Sequence, residues 1–184
     1  MNIELNVAVD ENNLEEVKKL YKEKDPLYSA ISLAAQSGYK EILSYLLTLE
    51  TTPEDRQRGL NDGLFLASQN NLVEIVELLI ANGASINNQK RTALHAAAGR
   101  GNNEIIIKLL DWGVDVNILE EGDKTIPLCD AIVNKRVETV KLLLEKGADP
   151  LIPDVFGVTP KELAFDFGGK EIKQIIRDFL KKSN

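Results

Sequence analysis

The sequence predicts an all-α solenoid of stacked helix-turn-helix units with short hairpin fingers. Three observations predict it. Apolar segments anchored on glutamate recur at Glu15, Glu41, Glu74, Glu104, Glu138 and Glu171, a period near 33 residues. An alanine stands seven residues before each glutamate: Ala8, Ala34, Ala67, Ala97, Ala131 and Ala164. Aromatics make up only 5% of the chain against 43% hydrophobic residues, so Leu, Ile, Val and Ala must fill the core, which suits closely packed helices.

Each repeat reads as a short helix holding the alanine, a tight turn, a longer helix starting at the glutamate, and a loop. The longer helices show apolar residues at helical spacing, as in Ile75, Val76, Leu79 and Ile80. Gly83, Gly113 and Gly147 follow three of them at the position where a left-handed backbone ends a helix. The alanine lets two antiparallel helices approach. No unit covers its own apolar face, so neighbours must stack. The units run approximately 1–26 (an N-terminal cap), 27–52, 53–88, 89–121, 122–155 and 156–184 (a C-terminal cap), together one domain of 184 residues. Between the second and third units "LETTPEDRQRGLNDG" replaces the hairpin. Thr52 as N-cap, Pro53 at the first helical position and Asp55 completing a capping box predict an unusually long helix there.

Three segments, "TALHAAAGRGNNEIIIKLLDWGVDVN" from Thr92, "PLCDAIVNKRVETVKLLLEKGADP" from Pro127 and "LFLASQNNLVEIVELLIANGASIN" from Leu64, resemble the ankyrin-repeat family. "GVTPKELA" from Gly157 is similar to the start of a terminal repeat. The resemblance implies a rigid scaffold that docks other proteins in a concave groove formed by fingers and short helices. It also implies structural roles for Thr92, His95, Gly101, Gly113 and Gly147. His95, the single histidine, is expected to be buried and tied to Thr92 and to backbone of the adjoining turn. "GASINNQKRT" is shorter than the family hairpin and "GVDVNILEEGDKTI" longer, so the binding edge should be irregular.

Other chemistries find little footing. Cys129 falls in the slot of His95 one repeat later, roughly 8–10 Å away on a stacked helix, too far for a catalytic dyad or a shared metal. One Cys and one His make no four-ligand zinc site. "GRGNN" (99–103) lacks the third glycine and the preceding strand of a dinucleotide loop. "GDKT" (122–125) lacks the upstream glycine of a Walker motif. No cofactor or metal is expected. An enzyme using His95 or Cys129, and a structural assembly subunit, are the alternative readings to a binding scaffold.

The net charge is −7, and no stretch is strongly basic, which argues against nucleic acid and anionic membranes. One cysteine fits a reducing compartment. The N-terminus lacks a signal-peptide pattern, and no apolar run reaches 18 residues, so a cytoplasmic monomer is expected, acting as adaptor, enzyme inhibitor or small effector. Candidate partner-binding residues are the variable pairs before each turn and the finger residues. They are Gln69, Asn70, Arg91, Arg100, Trp112, Ile118, Leu119, Glu120, Glu121, Val133, Asn134, Phe156, Asp166 and Phe167. Arg91 and Arg100 are expected to flank one end of a patch, facing the acids of the next finger.

Overall fold

The computed structural model describes residues 3–21, 26–88, 90 and 92–182. These residues form twelve helices and no strands. The backbone groups into two compact units, Met1–Ile86 and Asn87–Asn184.

The first unit holds α1 (Ile3–Asp10), α2 (Leu14–Leu20), α3 (Tyr28–Ser37), α4 (Lys40–Thr48), α5 (Pro53–Gln69) and α6 (Val73–Ala81). The inner helices α1, α3 and α5 pack side by side, and each packs on its own outer helix. Ala8, Ala34 and Ala67 are almost fully buried, as a close helix approach requires.

Helix α5 runs 17 residues from Pro53 and stands where a finger would be. Its N-cap is one-sided. Thr52 Oγ1 accepts from the Asp55 amide at 3.2 Å, but Asp55 does not return the bond as the expected capping box requires. Aspartate is one methylene shorter than the glutamate that does so at Thr159–Glu162, where both bonds form.

Two glycines let α5 lie almost backbone to backbone on α3. A Cβ on Gly59 would stand 3.0 Å from the Tyr28 Cα and the Ile31 Cβ, and one on Gly63 would stand 3.0 Å from the Ala35 Cβ. Around this contact α5 carries polar groups with structural partners. Arg56 donates to the Leu47 and Leu49 carbonyls at 2.8 and 2.6 Å, closing the end of α4. Gln57 donates to the Gly83 carbonyl at 3.1 Å, and the Asn61 side-chain oxygen accepts from the Ser85 amide at 2.8 Å.

The second unit holds α7 (Ala93–Arg100), α8 (Asn103–Asp111), α9 (Pro127–Val133), α10 (Val137–Glu145), α11 (Pro160–Asp166) and α12 (Gly169–Lys182). Inner helices α7, α9 and α11 pack in sequence, with outer helices α8, α10 and α12 against them. Two fingers, residues 113–126 and 147–159, connect an outer helix to the next inner one. Asn117 ties them together. Its amide donates to the Gly147 carbonyl at 3.3 Å, and its oxygen accepts from the Asp149 amide at 2.9 Å. Gln57 and Asn61 make the same pair of bonds to the corresponding backbone positions in the first unit, so α5 supplies from a helix what a finger supplies elsewhere.

The turn after each of the first five inner helices uses a left-handed residue four positions past the alanine, and after α11 it is Gly169, five positions past Ala164. Gly38 and Gly101 adopt it, and so do Asn12, Asn71 and Lys135, with φ of 54°, 60° and 56°. Asparagine tolerates this conformation through local hydrogen bonding; lysine has no such compensation.

Candidate partner-binding face

The second unit presents its inner helices and fingers as one side of the helix layer, and His95 fixes their junction. Thr92 caps α7, and its Oγ1 accepts from the His95 amide at 3.0 Å. The same hydroxyl contacts His95 Nδ1. On the far side of the ring, Nε2 donates to the Thr125 carbonyl at 3.0 Å, at the foot of the first finger. With Nε2 carrying the proton, Nδ1 accepts from the Thr92 hydroxyl, so the neutral ring is satisfied on both sides. Burial pushes its pKa down to about 4, against a smaller upward pull from the Thr125 carbonyl.

Cys129 occupies the equivalent slot on α9. It is buried, and burial pushes its thiol up to about 11. A nucleophile needs the opposite, an exposed sulfur with a lowered pKa. His95 likewise is held neutral and saturated with hydrogen bonds, leaving no nitrogen for a substrate. Among the described residues no cluster of three or more His, Cys, Asp or Glu side chains has the geometry to hold a metal ion. Among them, too, no helix is long and apolar enough to cross a membrane.

Of the residues nominated from sequence, several lie open on inner-helix ends and on the second finger. Val133 ends α9 and is 50% exposed; Phe167 caps α11 and is 55% exposed; Phe156, in the finger, is 78% exposed. Asn134 and Asp166 lie exposed beside them. Asn134 also donates to the Asp130 carbonyl at 2.9 Å, so its amide is committed to its own helix end. Gln69 and Asn70 end α5 in the first unit, where Asn70 donates to the Gln36 carbonyl at 2.9 Å.

Other nominations change. Ile118 is only 6% exposed, because its amide turns back to the Asp115 carbonyl at 3.0 Å and the side chain is directed inward. It offers a partner little surface. Leu119 is half-buried, and together the two line a cleft of about 380 Å³ at the root of the first finger. Trp112, 38% exposed, caps outer helix α8 and does not lie on an inner helix. Arg91 lies outside the described residues. Arg100 is exposed at the C-terminal end of α7, whereas the finger bearing Glu120, Glu121 and Asp123 leads into the N-terminal end of α9. Eight residues of helix separate those two ends by about 12 Å, so Arg100 and the acidic finger do not make one patch. Gly101, Gly113 and Gly147 all adopt positive φ after helices.

The sequence reading missed two features. Leu151 and Val155 join Phe156 on the second finger, 51% and 54% exposed. Asp130 sits mid-helix on α9, in the slot held by Ala96 and Leu163 in the neighbouring repeats. Burial, with Glu120 nearby, pushes its carboxyl up to about 7. A charge in an otherwise apolar slot was the signal.

Stacked helix pairs, left-handed turn residues and a finger tied to an inner helix by a Thr-x-x-His staple define a repeat scaffold. Residues 5–90 and 64–154 match the family described as ankyrin repeats (3 copies), and the chain belongs to that family. It is 30% identical over 165 residues to human BCL-6 corepressor-like protein 1, covering 90% of this chain and 7% of that protein. It is 30% identical over 174 residues to the human transient receptor potential cation channel subfamily A member 1, covering 91% of this chain and 15% of the channel. Against the putative ankyrin repeat protein FPV031 of fowlpox virus it is 30% identical over 159 residues, covering 80% of this chain and 46% of the viral protein. The chain thus spans less than half of each of these relatives.

Proposed function

We propose that this chain is a non-catalytic scaffold that binds a protein partner, as adaptor, enzyme inhibitor or effector, through the inner helices and fingers of its second unit. One observation carries the reading. Of the nine large hydrophobics exposed among the described residues, five (Val133, Leu151, Val155, Phe156 and Phe167) stand on the second finger and on the ends of α9 and α11. Single exposed apolar residues are ordinary, but three of these, Leu151, Val155 and Phe156, gather on one finger, and such a gathering marks an interaction surface. The working form is a cytoplasmic monomer.

The test is affinity capture by the full chain, comparing wild type with Val133→Ser, Phe156→Ser and Phe167→Ser combined. Loss of the captured proteins at unchanged melting temperature supports the reading. Capture of the same proteins by both sinks it. Sedimentation at low concentration checks the monomer.

A further inference from the structure

Charge is segregated in the second unit. Residues 113–133 and 147–166, the two fingers with inner helices α9 and α11, carry nine acidic and two basic side chains. Residues 134–146 and 167–182, the turn with α10 and the final turn with α12, carry nine basic and four acidic ones. These finger-side segments therefore carry a net −7 and the two outer segments a net +5. Within the negative field stand the open apolar residues Leu151, Val155 and Phe156.

The two fingers meet at their tips, where the Val155 amide donates to the Asp123 carbonyl at 3.0 Å. Asp123 is thereby placed beside Val155 and Phe156 with its carboxylate exposed. Asp130 lies below on α9, largely desolvated, and no ion pair to its carboxylate forms among the described residues. A half-buried carboxylate with no cation beside it is costly to keep charged, and a partner's cation would relieve that cost. A surface that is apolar at its centre and acidic around it repels acidic partners and attracts basic ones.

Resting on the protein-binding reading above, we infer that this face takes a basic peptide segment of its partner. Aromatic or aliphatic side chains of that segment seat against Val155 and Phe156, and its Lys or Arg side chains pair with Asp123 and Asp130. The apolar contacts supply affinity. The charges set which segments are accepted and speed their encounter.

The test is selection from a random-peptide display library on the immobilised full chain. Enriched sequences are then synthesised and titrated by fluorescence anisotropy. The enriched peptides should carry net positive charge together with apolar residues. Replacing either their Lys and Arg or their apolar residues by Ser should weaken binding by about tenfold or more. Phe156→Ser and Asp130→Asn in the protein should each weaken it, while Glu41→Gln in the first unit should not, with Trp112 fluorescence melts confirming that every variant folds. Binding should weaken as salt rises from about 50 mM to about 500 mM.

Enrichment of neutral or acidic peptides that Phe156→Ser still displaces overturns the charge assignment and leaves the binding face standing. Equal enrichment of lysine-rich peptides without apolar residues overturns the proposal as mere electrostatics. Binding indifferent to both Phe156→Ser and Asp130→Asn removes the site. No enrichment at all, together with unchanged capture by the triple variant, removes both this inference and the reading beneath it.

Discussion

The buried imidazole of His95 makes the second unit sensitive to acid in a way that can be isolated. Burial depresses its pKa from 6.5 to about 4. Above pH 6.5 the ring is neutral in both the folded and unfolded chain, and its titration contributes nothing. As pH falls towards 4 the unfolded chain takes up a proton that the folded chain refuses, and folding stability is lost. The interval is about 2.5 pH units, and each is equivalent to about 1.4 kcal/mol, so the loss approaches 3 kcal/mol at pH 4. Asp130 works in the other direction. Its pKa is raised from 3.8 to about 7, so its neutral form favours the folded state, and that contribution fades as pH rises through 7. Over the same descent from pH 7 to 4 it adds up to about 4 kcal/mol and conceals the histidine. The comparison must therefore be made in an Asp130→Asn background. Urea unfolding followed by Trp112, the chain's single tryptophan, reports on the unit that holds both groups. Between pH 7.5 and 4, Asp130→Asn should lose about 3 kcal/mol more than Asp130→Asn with His95→Gln. The other carboxylates cancel between the two. Parallel pH profiles would refute the assignment of a neutral, buried His95.

Three further outcomes follow from local geometry. Lys135→Gly should stabilise the second unit by about 1 kcal/mol in urea unfolding, because lysine holds φ 56° where glycine is free of the side-chain penalty. Gly59→Ala should destabilise by about 1–2 kcal/mol by circular dichroism melts: alanine's better helix propensity is outweighed by a Cβ 3.0 Å from the Tyr28 Cα, a backbone atom that cannot swing aside. Cys129 should react with a thiol reagent at pH 8 only at the rate of local opening, and quickly once urea unfolds the chain; fast native labelling would contradict a thiol pushed up to about 11.

The repeat was legible because helical packing leaves a regular record: a small residue at each close approach, an apolar stripe behind a glutamate, and a turn residue at fixed distance. His95 was legible for the same reason, since a hydroxyl three residues before it at a helix start can cap the helix and meet the ring at once. Thr52-Pro53 marked the start of α5 through N-terminal chemistry alone. What lay beyond reading depended on distances that sequence spacing does not encode. Ile118 looked open because it is in a finger, yet the fold of the hairpin turns it inward. Arg100 looked like a neighbour of the acidic finger, yet the length of one short helix holds it away. Gln57 and Asn61 carry no signal in the sequence, and only the position of α5 beside Gly83 and Ser85 makes them structural. Asp130 was readable by comparing slots across repeats, because it alone places a carboxylate where Ala96 and Leu163 stand.

The substitution of α5 for a finger separates two duties that a finger otherwise combines. One is to tie successive repeats through an amide that bridges a carbonyl and a backbone N–H. Asn117 does this in the second unit, and Gln57 with Asn61 does it in the first. The other is to hold a tip out into solvent. Helix α5 meets the first duty and gives up the second, because its residues are spent on Gly59 and Gly63 packing against α3. Correspondingly, the exposed large hydrophobics of the first unit are confined to Ile3 and Val7 on α1 among the described residues, with none on α5. The tips at 122–124 and 155–157 belong to the second unit, and there the open apolar residues and the excess of acids coincide. A tip free of structural obligation can carry Phe156 at 78% exposure without loss to the core, which is the condition a recognition residue needs.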